Sequence, residues 1–100
     1  MRIASAGSIP NRMATSPSGR YVPLRFYLGV QRKRQAELAL TFREIEDVLG
    51  DGLPKPARKY PEWWANDPAN EQATAWLEAG YWVREADLEG ERVLFGEEPT

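Results

Sequence analysis

The sequence predicts a small α+β domain, and three observations carry that prediction. Residues 42–49 hold an apolar helical face with both start and stop signals. Other stretches repeat apolar residues at helical spacing. The C-terminal stretch alternates on both sides of a Glu89-Gly90 turn, as a β-hairpin does. A chain of 100 residues allows one domain.

From the N-terminus, residues 1–20 are rich in Ser, Gly and Pro and poor in apolar residues. Such a segment buries too little surface to offset its ordering entropy, so it reads as a flexible tail. No apolar run follows Arg2, so a signal peptide is not expected, and Met13 offers an alternative start. Tyr21 to Arg34 reads as the first helix. Pro23 suits its first turn, and Leu24, Tyr27, Leu28 and Gln31 recur at i, i+3, i+4, i+7. Gly29 weakens its middle, and Arg32, Lys33 and Arg34 suit its C-terminal dipole.

Residues 37–41 alternate and read as a short strand. Thr41 and Glu44 then form a capping box. Phe42, Ile45, Val48 and Leu49 make the apolar face of a helix over 42–49, and Gly50 stops it. After the Asp51-Gly52 turn, Pro56 opens a short helix over 57–60. Pro61 breaks it, because proline has no N–H and restricts the residue before it. A fresh helical turn is expected at 62–65. Asn70 is placed as the cap of a helix over 71–79, with Ala73, Trp76 and Leu77 inward and Gly80 as its stop. Residues 81–88 and 92–95 complete the hairpin, with Val93 and Phe95 on one face and Arg92 and Leu94 on the other.

This order corresponds to a winged-helix-like layout of three to four helices, a short strand and a C-terminal β-hairpin. Two helices would form a helix-turn-helix, the hairpin the wing, and the short strand a third member of the sheet. The expected division is a tail over 1–20, one α+β domain over 21–96 and an acidic tail over 97–100.

Several strings in this body resemble a small bacterial domain family of unknown function. They are YVPLRFYL (21–28), LTFREIEDVLG (40–50), LPKPARKY (53–60), WWAN (63–66), QATAWLEAGYW (72–82) and DLEGERVLF (87–95). The family pattern runs YxPLxxYL, LTFxEIExxLG, LPxSAxxY, WWxN, QAxxWLxAGW and a closing VxF. The resemblance spans about residues 21–95. This chain departs from it at Pro56, where serine is expected, and at Pro61, which bears on the length of the second helix. The resemblance implies a fold and carries no activity across.

Function is read mainly from exclusions and charge. Histidine and cysteine are both absent, which removes disulfides, Cys/His zinc sites and His-dependent nucleophilic pairs. No phosphate-binding glycine loop or nucleophile elbow occurs, and the remaining acids look like solvated surface. The chain is therefore read as non-catalytic, without a cofactor or a metal. No run of about 20 apolar residues would span a membrane. A cytoplasmic setting is expected from the missing signal and missing cysteines.

The net charge of −2 conceals two unlike halves. Residues 1–60 hold 11 Lys/Arg against 5 Asp/Glu, and residues 61–100 hold 2 against 10. Lys55, Arg58 and Lys59 fall where a recognition helix would lie, and Arg32, Lys33 and Arg34 form a second basic run. The leading reading is a nucleic-acid-binding module in which these six residues contact phosphates. Tyr60, Trp63 and Trp64, at i, i+3, i+4, read as a core stripe, and Glu62 is a natural partner for Arg58. The alternative is a protein–protein module, an adaptor or inhibitor, whose acidic face is Glu85, Asp87, Glu89 and Glu91. That face would meet a basic partner surface, or the basic half of a second copy.

Overall fold

A computed structural model of the chain describes residues 17–99. Its helices are α1 (Val22–Arg32), α2 (Phe42–Leu49), α3 (Lys55–Lys59) and α4 (Glu71–Ala79). Its strands are β1 (Leu38–Thr41), β2 (Trp82–Asp87) and β3 (Arg92–Gly96). The strands form one antiparallel sheet in the order β1-β3-β2, so the C-terminal strand lies in the middle. This is the α+β architecture the sequence predicts, with the C-terminal hairpin and the short strand as its third member. A 3-10 turn over Pro17–Tyr21 starts inside the segment read as tail; residues 1–16 lie outside the described residues. No helix among the described residues is long and apolar enough to cross a membrane.

Local chemistry sets the element ends. At α2 the Thr41 hydroxyl accepts from the Glu44 N–H at 3.0 Å, and the Glu44 carboxylate accepts from the Thr41 N–H at 2.8 Å. Gly50 and Gly80 end α2 and α4 in the left-handed region, at φ 73° and 96°, where a Cβ is disfavoured. Asn70 occupies the N-cap position of α4, but its side chain makes no capping bond; its carbonyl accepts from Ala73 and Thr74 instead. Helix α1 ends at Arg32, so Lys33 caps it and Arg34 lies beyond it.

A line of aromatic rings runs through the core. Phe42 stacks on Trp64 at 5.2 Å between centroids, and Trp64 on Trp76 at 5.8 Å. Trp76 meets Phe95 at 6.0 Å, and Phe95 meets Tyr81 at 5.8 Å. The line joins α2, the turn after α3, α4 and the central strand. Burying one such ring system stabilises the fold by about 4 kcal/mol or more on area grounds.

Two side chains tie the 55–66 segment into this core. The Trp64 indole N–H donates to the Ala57 carbonyl at 2.8 Å, and Gln72 donates to the Trp63 carbonyl at 2.9 Å. Asn66 then covers the free edge of β2. Its amide donates to the Val83 carbonyl and accepts from the Val83 N–H, each at 2.9 Å, as a neighbouring strand would. The same Asn66 oxygen accepts from the Trp76 indole N–H at 2.9 Å.

Candidate functional site

The six predicted basic residues do not share one face. Arg58 leaves α3 and lies against the end of the hairpin turn. Its guanidinium donates to Glu46 at 2.8 Å and to Glu91 at 3.3 Å, and it sits 5.6 Å from the Phe42 ring centroid. The partner expected from sequence, Glu62, is not the one found. Arg32 donates to the Gly80 carbonyl at 3.0 Å and to Glu97 at 3.1 Å. Glu91 immediately precedes β3 and Glu97 immediately follows it. Five strand residues separate them, so they stand six steps of the usual rise apart, about 20 Å. The two basic groups therefore sit at opposite ends of the central strand, with Arg58 and Arg32 already held by carboxylates.

Lys55, Lys59, Lys33 and Arg34 are exposed. None of the four takes part in an ion pair found among the described residues. Helix α3 is one turn long, because Pro61 ends it. The break also turns Tyr60 out of the stripe expected for it. Trp64 is buried and Trp63 half-buried, whereas Tyr60 is 48% exposed, with the Lys59 ammonium 5.4 Å from its ring centroid. The helix that directly precedes the hairpin, α4, carries Glu71 and Glu78 and no lysine or arginine.

Glu46 is the hub of the α2–α3 junction, a role the sequence did not point to. Its carboxylate accepts from Arg58 and from the Leu53 backbone N–H, both at 2.8 Å. The hydrogen bond from Arg58, then that from Leu53, hold its carboxyl below the usual 4.5. A group with a depressed folded value stabilises fully above 4.5, and that stability is lost as pH falls through the folded value. Glu46→Gln is therefore expected to cost about 1 kcal/mol at pH 7, a partly exposed pair being worth little more. The gap to the parent chain narrows as pH falls from 7 to 3. Urea midpoints at the two pH values check this; an equal gap at both would refute it.

The acidic residues separate differently. Strand register places Ala39, Leu94 and Glu85 in one row across the sheet, and Thr41, Arg92 and Asp87 in the next. Leu40, Val93 and Phe95, on the other face, are buried in the core. The two acidic side chains thus lie on the solvent-facing side of the sheet. There Ala39, Glu85, Asp87, Arg92 and Leu94 line a shallow hollow of about 230 Å³. Asp87 and Arg92 approach only to 3.9 Å, a loose pair. Glu89 lies in the exposed hairpin turn, and Glu91 is held by Arg58. Of the four predicted acidic residues, Glu85 and Asp87 come together. Ala39 and Leu94 escaped notice in the sequence, since an alanine and a leucine carry no functional signal until strand register sets them beside carboxylates.

A family model described as Domain of unknown function (DUF7662) matches residues 21–98. Comparison with curated proteins and with solved structures finds no match.

Proposed function

We propose, for a chain that belongs to the DUF7662 family of domains of unknown function, that it is a non-catalytic module which holds a basic, extended segment of a protein partner against the outer face of its sheet. The observation that carries this reading is the hollow in which Glu85 and Asp87 stand beside Ala39 and Leu94. Two carboxylates two residues apart on one strand point to the same side. Lysine or arginine heads from the partner meet them, and the aliphatic stems lie over Ala39 and Leu94. The small Ala39 side chain leaves the space those stems occupy. A patch of this size supports weak, salt-sensitive binding.

Calorimetric titration with a synthetic lysine- and leucine-containing peptide at low salt tests it. Binding is expected, with a loss of tenfold or more for Glu85→Lys and Asp87→Lys, since reversing one charge of a contact costs on the order of 1.4 kcal/mol. Glu62→Lys and Glu98→Lys serve as controls and should leave affinity within about twofold, as rim charges far from a contact do. No binding, or equal losses for all four variants, overturns the reading.

A second reading is supported by Tyr60, an exposed aromatic beside the exposed Lys55 and Lys59. Such a surface suits a nucleic acid, a base stacking on the ring and phosphates meeting the lysines. Titrating a single-stranded oligonucleotide in the same experiment separates the two. This reading requires salt-dependent binding that Tyr60→Ala and Lys59→Ala weaken and Glu85→Lys does not.

A further inference from the structure

The two edges of the sheet differ. At the β2 edge the Val83 N–H and C=O point outward, and the Asn66 amide occupies both. At the β1 edge Ala39 has no such cover. The Phe42 N–H donates to the Glu91 carbonyl at 2.9 Å. Main-chain bonds alternate along an antiparallel ladder, so Leu40 and Leu38 also turn theirs toward β3, opposite Val93 and Phe95. Ala39 and Thr41 therefore turn their N–H and C=O groups away from the sheet. The Thr41 N–H is taken by the Glu44 carboxylate, and its carbonyl begins α2. Ala39 is exposed, and no hydrogen bond found among the described residues reaches its N–H or C=O from outside the sheet.

We infer, resting on the function proposed above, that the partner's basic segment docks as a fourth, antiparallel strand beside β1 and exchanges two main-chain bonds with Ala39. A donor and an acceptor side by side are what Ala39 calls for, as Asn66 supplies at the far edge, and an extended peptide carries that pair on each residue. The partner residue opposite Ala39 points its side chain to the same side as Ala39 does. On that side the hollow runs from Ala39 past Leu94 to Glu85 and Asp87. The row holding Ala39 and Leu94 contains one charge, Glu85, which takes part in no ion pair found among the described residues. The nearby cations are turned elsewhere: Arg92 leans toward Asp87, and Arg84 donates to the Glu97 carbonyl. Glu37, just before β1, is exposed on the same side, its Cγ 3.7 Å from where a Cβ on Gly96 would stand. A long cation, arginine above all, suits the position opposite Ala39, its stem lying over Ala39 and Leu94 and its head toward Glu85. A second copy suits it less, because pairing β1 with β1 about a two-fold axis would bring two sets of these carboxylates onto one face.

Amide hydrogen exchange followed by NMR tests this, on the full chain with a short synthetic peptide that carries one central arginine among leucines and threonines. In the free chain the Ala39 amide should exchange as an open amide does. It should slow about tenfold when about nine-tenths of the chain carries peptide, because only the unbound remainder then exchanges. Methylating the arginine's main-chain nitrogen removes the donor that faces the Ala39 carbonyl, and should weaken binding about tenfold or more. Methylating either neighbouring nitrogen, which points away from β1, should change affinity by less than about threefold. Binding with Ala39 still exchanging fast, or with methylation at the arginine harmless, overturns the added strand and leaves the reading of the outer face standing. No binding at all overturns both. Ala39 protection in the free chain that grows with protein concentration assigns the edge to a second copy, and overturns the inference as well.

Discussion

Replacing Trp76 with alanine is expected to remove a large part of the stability of this domain. Trp76 is fully buried and stands in the middle of the aromatic line, stacked on Trp64 and against Phe95. Truncating a buried tryptophan to alanine costs about 3–5 kcal/mol, because a cavity remains where the ring was. A domain with about 80 ordered residues has roughly 4–12 kcal/mol in total, so the loss takes about a quarter of it at least. The effect should reach further than one helix. Trp76 joins α4 to the turn after α3 through Trp64, and to the central strand through Phe95. Trp76→Phe keeps an aromatic in the gap and should cost less, with the bond to Asn66 lost. Urea unfolding followed by far-UV circular dichroism checks the order; a Trp76→Ala midpoint close to that of the parent chain would refute it.

The elements were legible where local chemistry decides them. The capping box at Thr41 and Glu44 and the glycine at 50 set the predicted bounds of α2, and the structure places the helix at Phe42–Leu49. The period-2 pattern around Glu89-Gly90 sets the hairpin and puts Val93 and Phe95 on one face, which the structure buries. Where the expectations failed, they counted helical spacing across the Pro61 break that the sequence itself signals, or missed a partner distant in the chain. Arg58 and Glu62 are four residues apart and suggest a helical pair, but that presumes one continuous helix. Pro61 interrupts it, and Arg58 finds Glu46 and Glu91 instead, 12 and 33 residues away. Tyr60 fails for the same reason, since a stripe counted across a break is not a stripe. The candidate site is the extreme case. Glu85 and Asp87 were visible as acids, but the floor beneath them comes from β1 and β3, and only sheet register brings the three strands together.

Charge shows the same limit. The basic and acidic halves look like two faces in the sequence, yet folding interleaves them. Arg25, Arg32 and Arg58 each approach a carboxylate of the acidic half, Glu78, Glu97 and Glu91 respectively. Among the described residues, what remains free of pairing is less than the sequence suggests, and it lies in small groups. A split of charge along a chain therefore says little about a split across a surface when folding packs the N-terminal helices against the C-terminal elements.

Asn66→Ala is expected to cost about 2–3 kcal/mol, far more than an asparagine outside every helix and strand usually contributes. Its side chain makes three bonds, and removing it leaves the Val83 N–H, the Val83 carbonyl and the Trp76 indole N–H without partners. Each partly buried group so stranded costs on the order of 1 kcal/mol. The amide is required because it offers a donor and an acceptor side by side, matching the N–H and C=O that a strand presents on its edge. Asn66→Asp separates those two functions. At pH 7 the carboxylate still accepts from Val83 and Trp76, but an oxygen replaces the donor facing the Val83 carbonyl, and two acceptors repel. Repulsion by that carbonyl and partial burial push the introduced carboxyl up from its unfolded value of about 3.9, against the two N–H donors that pull it down. The unfolded state thus releases its proton first as pH rises, and the variant loses stability on that limb. Lowering the pH restores a donor, so the deficit relative to the parent chain should shrink from pH 7 to pH 4, while that of Asn66→Ala stays constant. Urea midpoints of all three proteins at both pH values decide it. Parallel deficits for the two variants would mean that the amide donor does not hold the β2 edge, and that the indole bond alone accounts for the cost.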